Sequence, residues 1–208
     1  MPADPAAAII GLYERTADVW AEGRGQRLYA GEWDEAGWLD AFNAPLPRGA
    51  SILDVGCGNG VPIARELLRR GFRVSGVDSS PTLITMAERE LPEGSWRVGD
   101  MRALDRGETF DGVLAWCSLF HLTEADQRDV LPRLARHVAP GGRLMITTGP
   151  IAGVSMGEWQ GEPLFHASLS PEEYRALFAR EGLDVERFVA GRPVVGVGPT
   201  VWIAVRST

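Results

Sequence analysis

Two rhythms of apolar residues divide the chain. Over residues 6–22 they recur at helical spacing, and Ile9, Ile10, Leu12, Tyr13, Ala17 and Trp20 share one broad face. Gly23 and Gly25 end that pattern. A second segment, 26–42, is rich in large side chains, among them Leu28, Tyr29, Trp33, Trp38, Leu39 and Phe42. Pro45, Pro47 and Gly49 then make a linker. Beyond it, short apolar runs alternate with helical patterns. The runs predict strands at 50–55, 73–78, 96–98, 110–116, 143–148, 183–189 and 200–205. The helical patterns fall at 60–70, 80–90, 123–138 and 170–182. Local chemistry marks their ends. Gly71 stands where a C-terminal glycine belongs, Ser80-Pro81 supplies a cap and a first helical residue, and the stretches opening at Thr123 and Ser170 are capping signals. Residues 149–169 follow neither rhythm and read as an irregular, glycine-rich loop.

Strands alternating with helices predict an α/β fold with a doubly wound, mainly parallel sheet. The link between the last two runs is too short for a parallel crossover, so one of them is expected to run antiparallel. A length of 208 residues suits one domain. It divides into a helical cover (1–49), an α/β core (50–149) and a closing part (150–208). The cover either packs its aromatics on the sheet or acts as a lid that brings Tyr13, Trp20 and an arginine, Arg24 or Arg27, to a ligand.

Composition narrows the partners. With 45% hydrophobic and 24% charged residues the chain is an ordinary globular protein. A net charge of −7 with no basic run speaks against nucleic acid. No stretch approaches the roughly 18–20 apolar residues of a membrane span. The N-terminus lacks the basic region of a signal peptide, so a cytoplasmic protein is expected. The two cysteines make no disulfide framework and lack metal-ligand spacing. Oligomeric state carries no sequence signal.

The chemistry gathers around Ile52-Leu53-Asp54-Val55-Gly56-Cys57-Gly58-Asn59-Gly60. An apolar strand ends at an acid, and three glycines at alternate positions lead into a helix. Such a turn lets a ligand approach the main chain and points free N–H groups at it. In a parallel sheet the first three strands would end on one edge, at Asp54, Asp78 and Asp100. Three carboxylates there are costly unless they are hydrogen-bonded or hold a ligand. A dinucleotide fingerprint needs its third glycine one residue later, where Val61 stands, and its pyrophosphate would lie beside the acids. A ligand with a ribose diol, an ammonium and a positive centre fits better. S-adenosylmethionine has all three.

The glycine turn, the acid ending strand two, the Gly99-Asp100 pair after strand three and the Pro140-Gly141-Gly142 turn before strand five together resemble the class I S-adenosylmethionine-dependent methyltransferases of small-molecule type. The likeness is close over 50–149 and extends to the layout of the whole chain. It implies a seven-stranded sheet in the order 3-2-1-4-5-7-6 with strand 7 antiparallel. It also implies roles. Asp54 would organise the glycine loop and meet the ammonium, and Gly56, Gly58 and Gly60 would let the backbone approach the methionine and ribose. Asp78 would take both ribose hydroxyls, and Asp100 and the Met101 N–H the adenine edge. Met101 or Ser79 would pack on the adenine face. Tyr13, Trp20 and Trp116 complete the expected cofactor set.

A small-molecule acceptor is expected over the end of strand four, at 116–122, walled by Ser118, Phe120, Trp159 and Phe165. The apolar, aromatic lining suits an aromatic or apolar acceptor methylated at O, N or C. His121 is the first candidate for a base or orienting group and His166 the second, each against the alternative of a histidine that holds local structure. His137, before the Pro-Gly-Gly turn, reads as structural. Strands one and four would be neighbours, so Cys57 and Cys117 are expected close together as free thiols. The signatures of base N-methyltransferases and of metal-assisted catechol types are absent, so neither nucleic acid nor metal is expected. A peptide acceptor, a nicotinamide-dependent oxidoreductase and a non-catalytic binding module stand as alternatives.

Overall fold

The computed structural model describes residues 4–30, 34–191 and 200–208. Trp33 and most of the link at 191–199 lie outside them. The described chain opens with three helices, α1 (Pro5–Arg15), α2 (Ala17–Arg24) and α3 (Glu35–Asn43). There follow β1 (Ser51–Val55), α4 (Ile63–Arg69), β2 (Arg73–Asp78), α5 (Pro81–Glu90), β3 (Ser95–Val98) and β4 (Phe110–Ala115). Then come α6 (Glu124–Arg136), β5 (Val138–Thr148), β6 (Gly153–Trp159), β7 (Glu162–Ser168), α7 (Pro171–Arg180), β8 (Leu183–Val189) and β9 (Thr200–Arg206).

Seven strands form one sheet in the order β3-β2-β1-β4-β5-β9-β8. The first five run parallel, and β9 is antiparallel to both neighbours. With β8 and β9 as the sixth and seventh sheet strands, this is the expected order. Two cores flank the sheet. On one side Val113, Ile146 and Trp202 pack with Leu131 and Leu134 of α6 and Phe178 of α7. On the other, Ile52, Leu114 and Ile203 meet Phe42 of α3 and Leu67 of α4. The central strands are apolar on both faces for this reason.

The expected single helix over 6–22 is two. Thr16 Oγ1 donates to the Leu12 carbonyl at 2.8 Å and accepts the Trp159 indole N–H at 3.0 Å. Such a side-chain bond competes with the helical ladder, and the chain turns there. The helix expected from residue 60 starts at Ile63, because Pro62 stands at its cap and disfavours helical geometry at Val61. Strand five begins at Val138, five residues before its expected start. Pro140-Gly141-Gly142 lies inside it as an irregularity against β4. A Cβ at Gly142 would meet the Ala139 and Asp111 carbonyl oxygens at 2.8 and 2.9 Å, so only glycine fits.

The largest correction concerns 149–169. In place of an irregular loop stands a β-hairpin of β6 and β7, with Gly153 opposite Ser168 and Trp159 opposite Glu162. Its two-residue turn, Gln160-Gly161, has φ of 53° and 78°, the left-handed pair that such turns require. Phe165 and Ala167 of β7 pack with Ile9 and Leu12 of α1. β6 stays exposed, so the hairpin lacks the alternation that marks a half-buried ribbon. Among the described residues no helix is long and apolar enough to cross a membrane.

Candidate functional site

The turn after β1 folds back onto β2, where the Gly56 and Cys57 N–H groups both donate to the Val77 carbonyl, at 2.7 and 3.2 Å. Gly56 and Gly58 have φ of 76° and 56°. A Cβ at Gly56 would lie 2.3 Å from Ser118 Cβ, and one at Gly58 2.5 Å from the Trp20 ring. The bare backbone at these two positions thus makes a cradle between the β1 turn, the β4 end and α2. Gly60 serves differently. It lines neither cavity at the sheet edge, and its α-carbon packs against Leu91 and Trp96.

Two cavities meet at this edge and share Tyr13, Trp20, Gly56, Cys117 and His121. Gly58, Asp78, Ser79, Asp100, Met101 and Ser118 line the first. The second, of about 270 Å³, is lined by Asp54, Arg24, Trp116, Phe120 and His166 among others. The structure therefore brings Asp78, Ser79, Asp100 and Met101 together. It moves two expected neighbours apart: Ser118 lies on the Asp78 side, donating to the Val55 carbonyl at 2.9 Å, and Trp116 on the Phe120 side.

The three strand-end acids differ in what holds them. Asp78 accepts the Gly58 N–H at 2.8 Å on one oxygen and the Ser80 N–H at 2.9 Å on the other. Burial still raises its pKa. Each oxygen retains a second acceptor direction. Asp100 is turned towards Arg102, accepting its backbone N–H at 2.8 Å and its guanidinium at 2.7 and 2.9 Å, and Arg102 also reaches Asp4 at 3.0 Å. Asp54 is buried with no hydrogen-bond partner among the described residues. Burial, helped by the nearby Asp78 charge, pushes its pKa up to about 7.

Across from the glycines stands a wall built from distant parts of the chain. His121 sits in a 3-10 turn, Leu119–His121, after β4. Its Nδ1 lies 3.0 Å from the Phe165 carbonyl, which can only accept, so Nδ1 carries the proton. Nε2 therefore offers a lone pair, which accepts the Tyr13 hydroxyl at 3.0 Å. Burial holds His121 neutral, with a pKa down to about 3, and raises the Tyr13 phenol. His166 lies beside it, ring centroids 4.8 Å apart, and burial lowers its pKa too. Phe165 and Trp159 line neither cavity. Phe165 is buried against α1 and contributes its carbonyl, while Trp159 braces the bend at Thr16. Cys57 and Cys117 are both free and both line the second cavity. Burial pushes Cys117 up to about 12 and raises Cys57 as well, so they stand as thiols. His137 bridges the Arg133 carbonyl and the Arg106 N–H, a structural post. Among the described residues no cluster of His, Cys, Asp and Glu is arranged to hold a metal.

Two acidic residues of the site carried no local motif. Glu14 of α1 accepts from the Ser80 hydroxyl and from the Thr82 hydroxyl and N–H, at 2.7 and 3.2 Å for the latter pair. It thus pins the cover to the first turn of α5. Glu35, the first residue of α3, is fully buried beside the second cavity. Their side-chain partners lie more than sixty residues away or, for Arg24, in a different helix, so no spacing rule reveals them.

Comparison with known proteins places this geometry. Residues 52–142 match the family model described as a methyltransferase domain. The chain is 34% identical over 128 residues to a dTDP-4-amino-2,3,4,6-tetradeoxy-D-glucose N,N-dimethyltransferase of Saccharopolyspora spinosa, a match covering 61% of this chain and 49% of that protein. It is 35% identical over 125 residues to a magnesium-protoporphyrin O-methyltransferase of Rhodobacter capsulatus, covering 58% and 54%. The matches span about half the length of such relatives. Among solved structures, the S-adenosylmethionine-bound amino pentose methyltransferase CalS10 from Micromonospora echinaspora superposes with a TM-score of 0.68 at 25% identity, covering 91% of this chain and 96% of that one. The magnesium protoporphyrin IX methyltransferase ChlM of Synechocystis shares the fold, with a TM-score of 0.74 at 18% identity and 98% of each chain covered.

Proposed function

We propose that the chain is a class I S-adenosylmethionine-dependent methyltransferase, as its likeness to such proteins supports, and that it methylates a small, aromatic or apolar metabolite. One observation carries the reading: the Asp54 carboxyl, buried and making no hydrogen bond among the described residues, opens on the second cavity beside two glycines whose α-carbons leave a cradle that a Cβ would fill. A cationic ligand relieves the cost of that lone carboxylate.

The residues present fit the cofactor. Asp78, with an acceptor direction free on each oxygen, would hold the ribose hydroxyls. Ser79, Met101 and Leu83 line the side where adenine would lie. Asp54 would meet the ammonium. Arg24 is the one cation among the described residues lining the two cavities, and would meet the carboxylate. With Asp54 ionised, as a cationic ligand would favour, Asp54, Glu35 and Arg24 would carry one net negative charge at the second cavity, opposite in sign to a methionine tail bearing a sulfonium. The cofactor supplies a methyl group already activated on a positively charged sulfur.

What remains for the protein is placement and dryness. Tyr13 donates its hydroxyl hydrogen bond to His121 Nε2, which leaves its oxygen lone pairs to accept an N–H or O–H of the acceptor. His121, fixed by the Phe165 carbonyl, orients Tyr13. A histidine held neutral down to about pH 3 is a weak base, so the pair positions the acceptor and does little to ionise it. Phe120, Trp116 and His166 make the rest of the wall. The size of the second cavity suits a metabolite better than a peptide segment. Relatives named for amino-sugar and porphyrin methylation support a small acceptor at nitrogen or oxygen.

Calorimetry with S-adenosylhomocysteine tests the cofactor, with micromolar-range binding expected; no binding sinks the proposal. Incubating metabolite pools with methyl-labelled cofactor then identifies the acceptor. Label appearing only in peptides would shift the reading to a peptide methyltransferase.

A further inference from the structure

Glu35 is buried at the edge of the second cavity, and its hydrogen bonds gather three parts of that cavity. Arg24 Nη2 donates to both of its oxygens, at 2.7 and 2.9 Å. The Trp116 indole N–H donates to Oε1 at 2.9 Å, and the Tyr29 backbone N–H to Oε2 at 2.7 Å. Each oxygen thus accepts two bonds, and no acceptor direction remains. One carboxylate joins the end of α2, the segment before α3, α3 itself and the end of β4.

Arg24 is held on two sides by this arrangement. Its Nη2 is committed to Glu35, and its plane lies over the Tyr29 ring, 4.2 Å from the centroid. Nη1 makes one long bond, 3.5 Å, to the Arg27 carbonyl, and the Nε–H has no partner among the described residues. A guanidinium clamped along one edge keeps its remaining donors in fixed directions, at little entropic cost when they bind.

We propose that Glu35 is a positioning residue, which holds Arg24 and Trp116 in the second cavity so that Arg24 receives the carboxylate of the cofactor's amino-acid tail. The inference rests on the proposed cofactor and adds an assignment to it. Glu35 acts at the tail end alone, since the adenosine side is lined by a separate set around Asp78. Removing its charge frees Arg24 to swing and leaves the Trp116 and Tyr29 N–H groups without their anion.

Two ligands separate this role from general stability. S-adenosylhomocysteine carries the amino-acid tail, and 5′-methylthioadenosine lacks it. In Glu35→Gln the affinity for S-adenosylhomocysteine is expected to fall tenfold or more, while that for methylthioadenosine stays within twofold. Arg24→Met should give the same split, and carries the test if Glu35→Gln does not fold. The double variant should be little worse than the worse single one, because both remove the same contact. Equal losses for the two ligands, or none, overturn the assignment. Wild-type protein that binds neither ligand removes the cofactor reading itself; wild type that binds both equally well removes only the role of Arg24 and Glu35.

Discussion

The two sides of the site are built in opposite ways. The glycine side is made of neighbours: its turn is tied to the end of β2 by Gly56 and Cys57 to Val77 and by Gly58 to Asp78, the last pair 20 residues apart. The facing wall joins Tyr13 to His121 across 108 residues, Thr16 to Trp159 across 143 and Glu35 to Trp116 across 81. The glycine side is constrained by backbone. Left-handed φ and missing Cβ atoms admit one residue type. The wall is constrained by side-chain pairs, and a pair can be exchanged for another of similar reach. Such a division suits a fixed ligand on one side and a variable one on the other.

The comparison breaks most visibly on the glycine side. Asp78→Ala removes the carboxylate that anchors Gly58 and would hold the ribose. Binding of S-adenosylhomocysteine should fall about 100-fold or more in calorimetry, on the order of two charge-assisted hydrogen bonds. Gly56→Ala should lose binding as well, for a different reason: its Cβ would press on Ser118 while φ stays at 76°. That strain costs about 1–3 kcal/mol of stability, readable as a lower denaturant midpoint. A variant that binds normally would show that the cradle is not where the cofactor lies.

On the wall the expected effects are smaller and of another kind. Tyr13→Phe leaves the ring in place and takes away the hydroxyl that links His121 to the cavity. Turnover of the identified acceptor should drop about 10- to 100-fold, with S-adenosylhomocysteine affinity unchanged within twofold. His121→Asn should do the same, since it removes the acceptor that orients Tyr13. Loss of cofactor affinity in both would move the pair to the other side of the comparison.

What the sequence made legible follows the same line. The sheet order, Asp78 at the end of β2 and the cap at Ser80 each follow from local chemistry: an acid after an apolar run, a serine before a proline. The hairpin at 153–168 was not legible, because β6 buries almost nothing and shows no alternation. Nor was the split of the apolar wall from the Asp78 side. Ser118 and Trp116 lie two residues apart in sequence, and the positive φ of Cys117, 53°, sends them to different cavities. The ties through Glu14 and Glu35 were hidden because a carboxylate on an amphipathic helix looks like any solvated charge until its distant partner is known. The sequence pattern therefore found the backbone-made side and missed the contacts that close the wall over it.

Smaller again is the tie between the two sides. Glu14 accepts three hydrogen bonds from Ser80 and Thr82, and they hold its carboxyl below the usual range. Glu14→Ala should leave the sheet intact and loosen α1. Hydrogen exchange in α1 should quicken relative to β1 and β4, and S-adenosylhomocysteine should dissociate about tenfold faster, as expected for loss of roughly 1–2 kcal/mol of closing contacts. Unchanged exchange would mean that packing of Ile9 and Leu12 on the hairpin suffices to hold the cover.

The smallest effect lies in pH, where the two sides pull stability in opposite directions. Asp54 on the glycine side has its folded pKa raised from 3.8 to about 7. Between those values the folded state binds more protons than the unfolded, so this contribution to stability falls as pH rises towards 7 and is flat above it. His121 on the wall has its folded pKa lowered from 6.5 to about 3. In that window the unfolded state binds more protons, so stability falls as pH drops from 6.5 towards 3. The two slopes offset one another between about pH 4 and 6.5 in the wild type. Asp54→Asn removes one slope, and its melting temperature should fall more steeply on acidification than that of the wild type, by a few degrees, about what 1 kcal/mol moves a domain of this size. His121→Asn should show the reverse, a melting temperature that declines as pH rises from 5 to 7. The ammonium of the tail favours ionised Asp54, so the stabilisation given by S-adenosylhomocysteine should grow from pH 6 to pH 8 in the wild type and stay flat in Asp54→Asn. A ligand effect independent of pH in both proteins would place the ammonium away from Asp54, and leave that carboxylate to the turn alone.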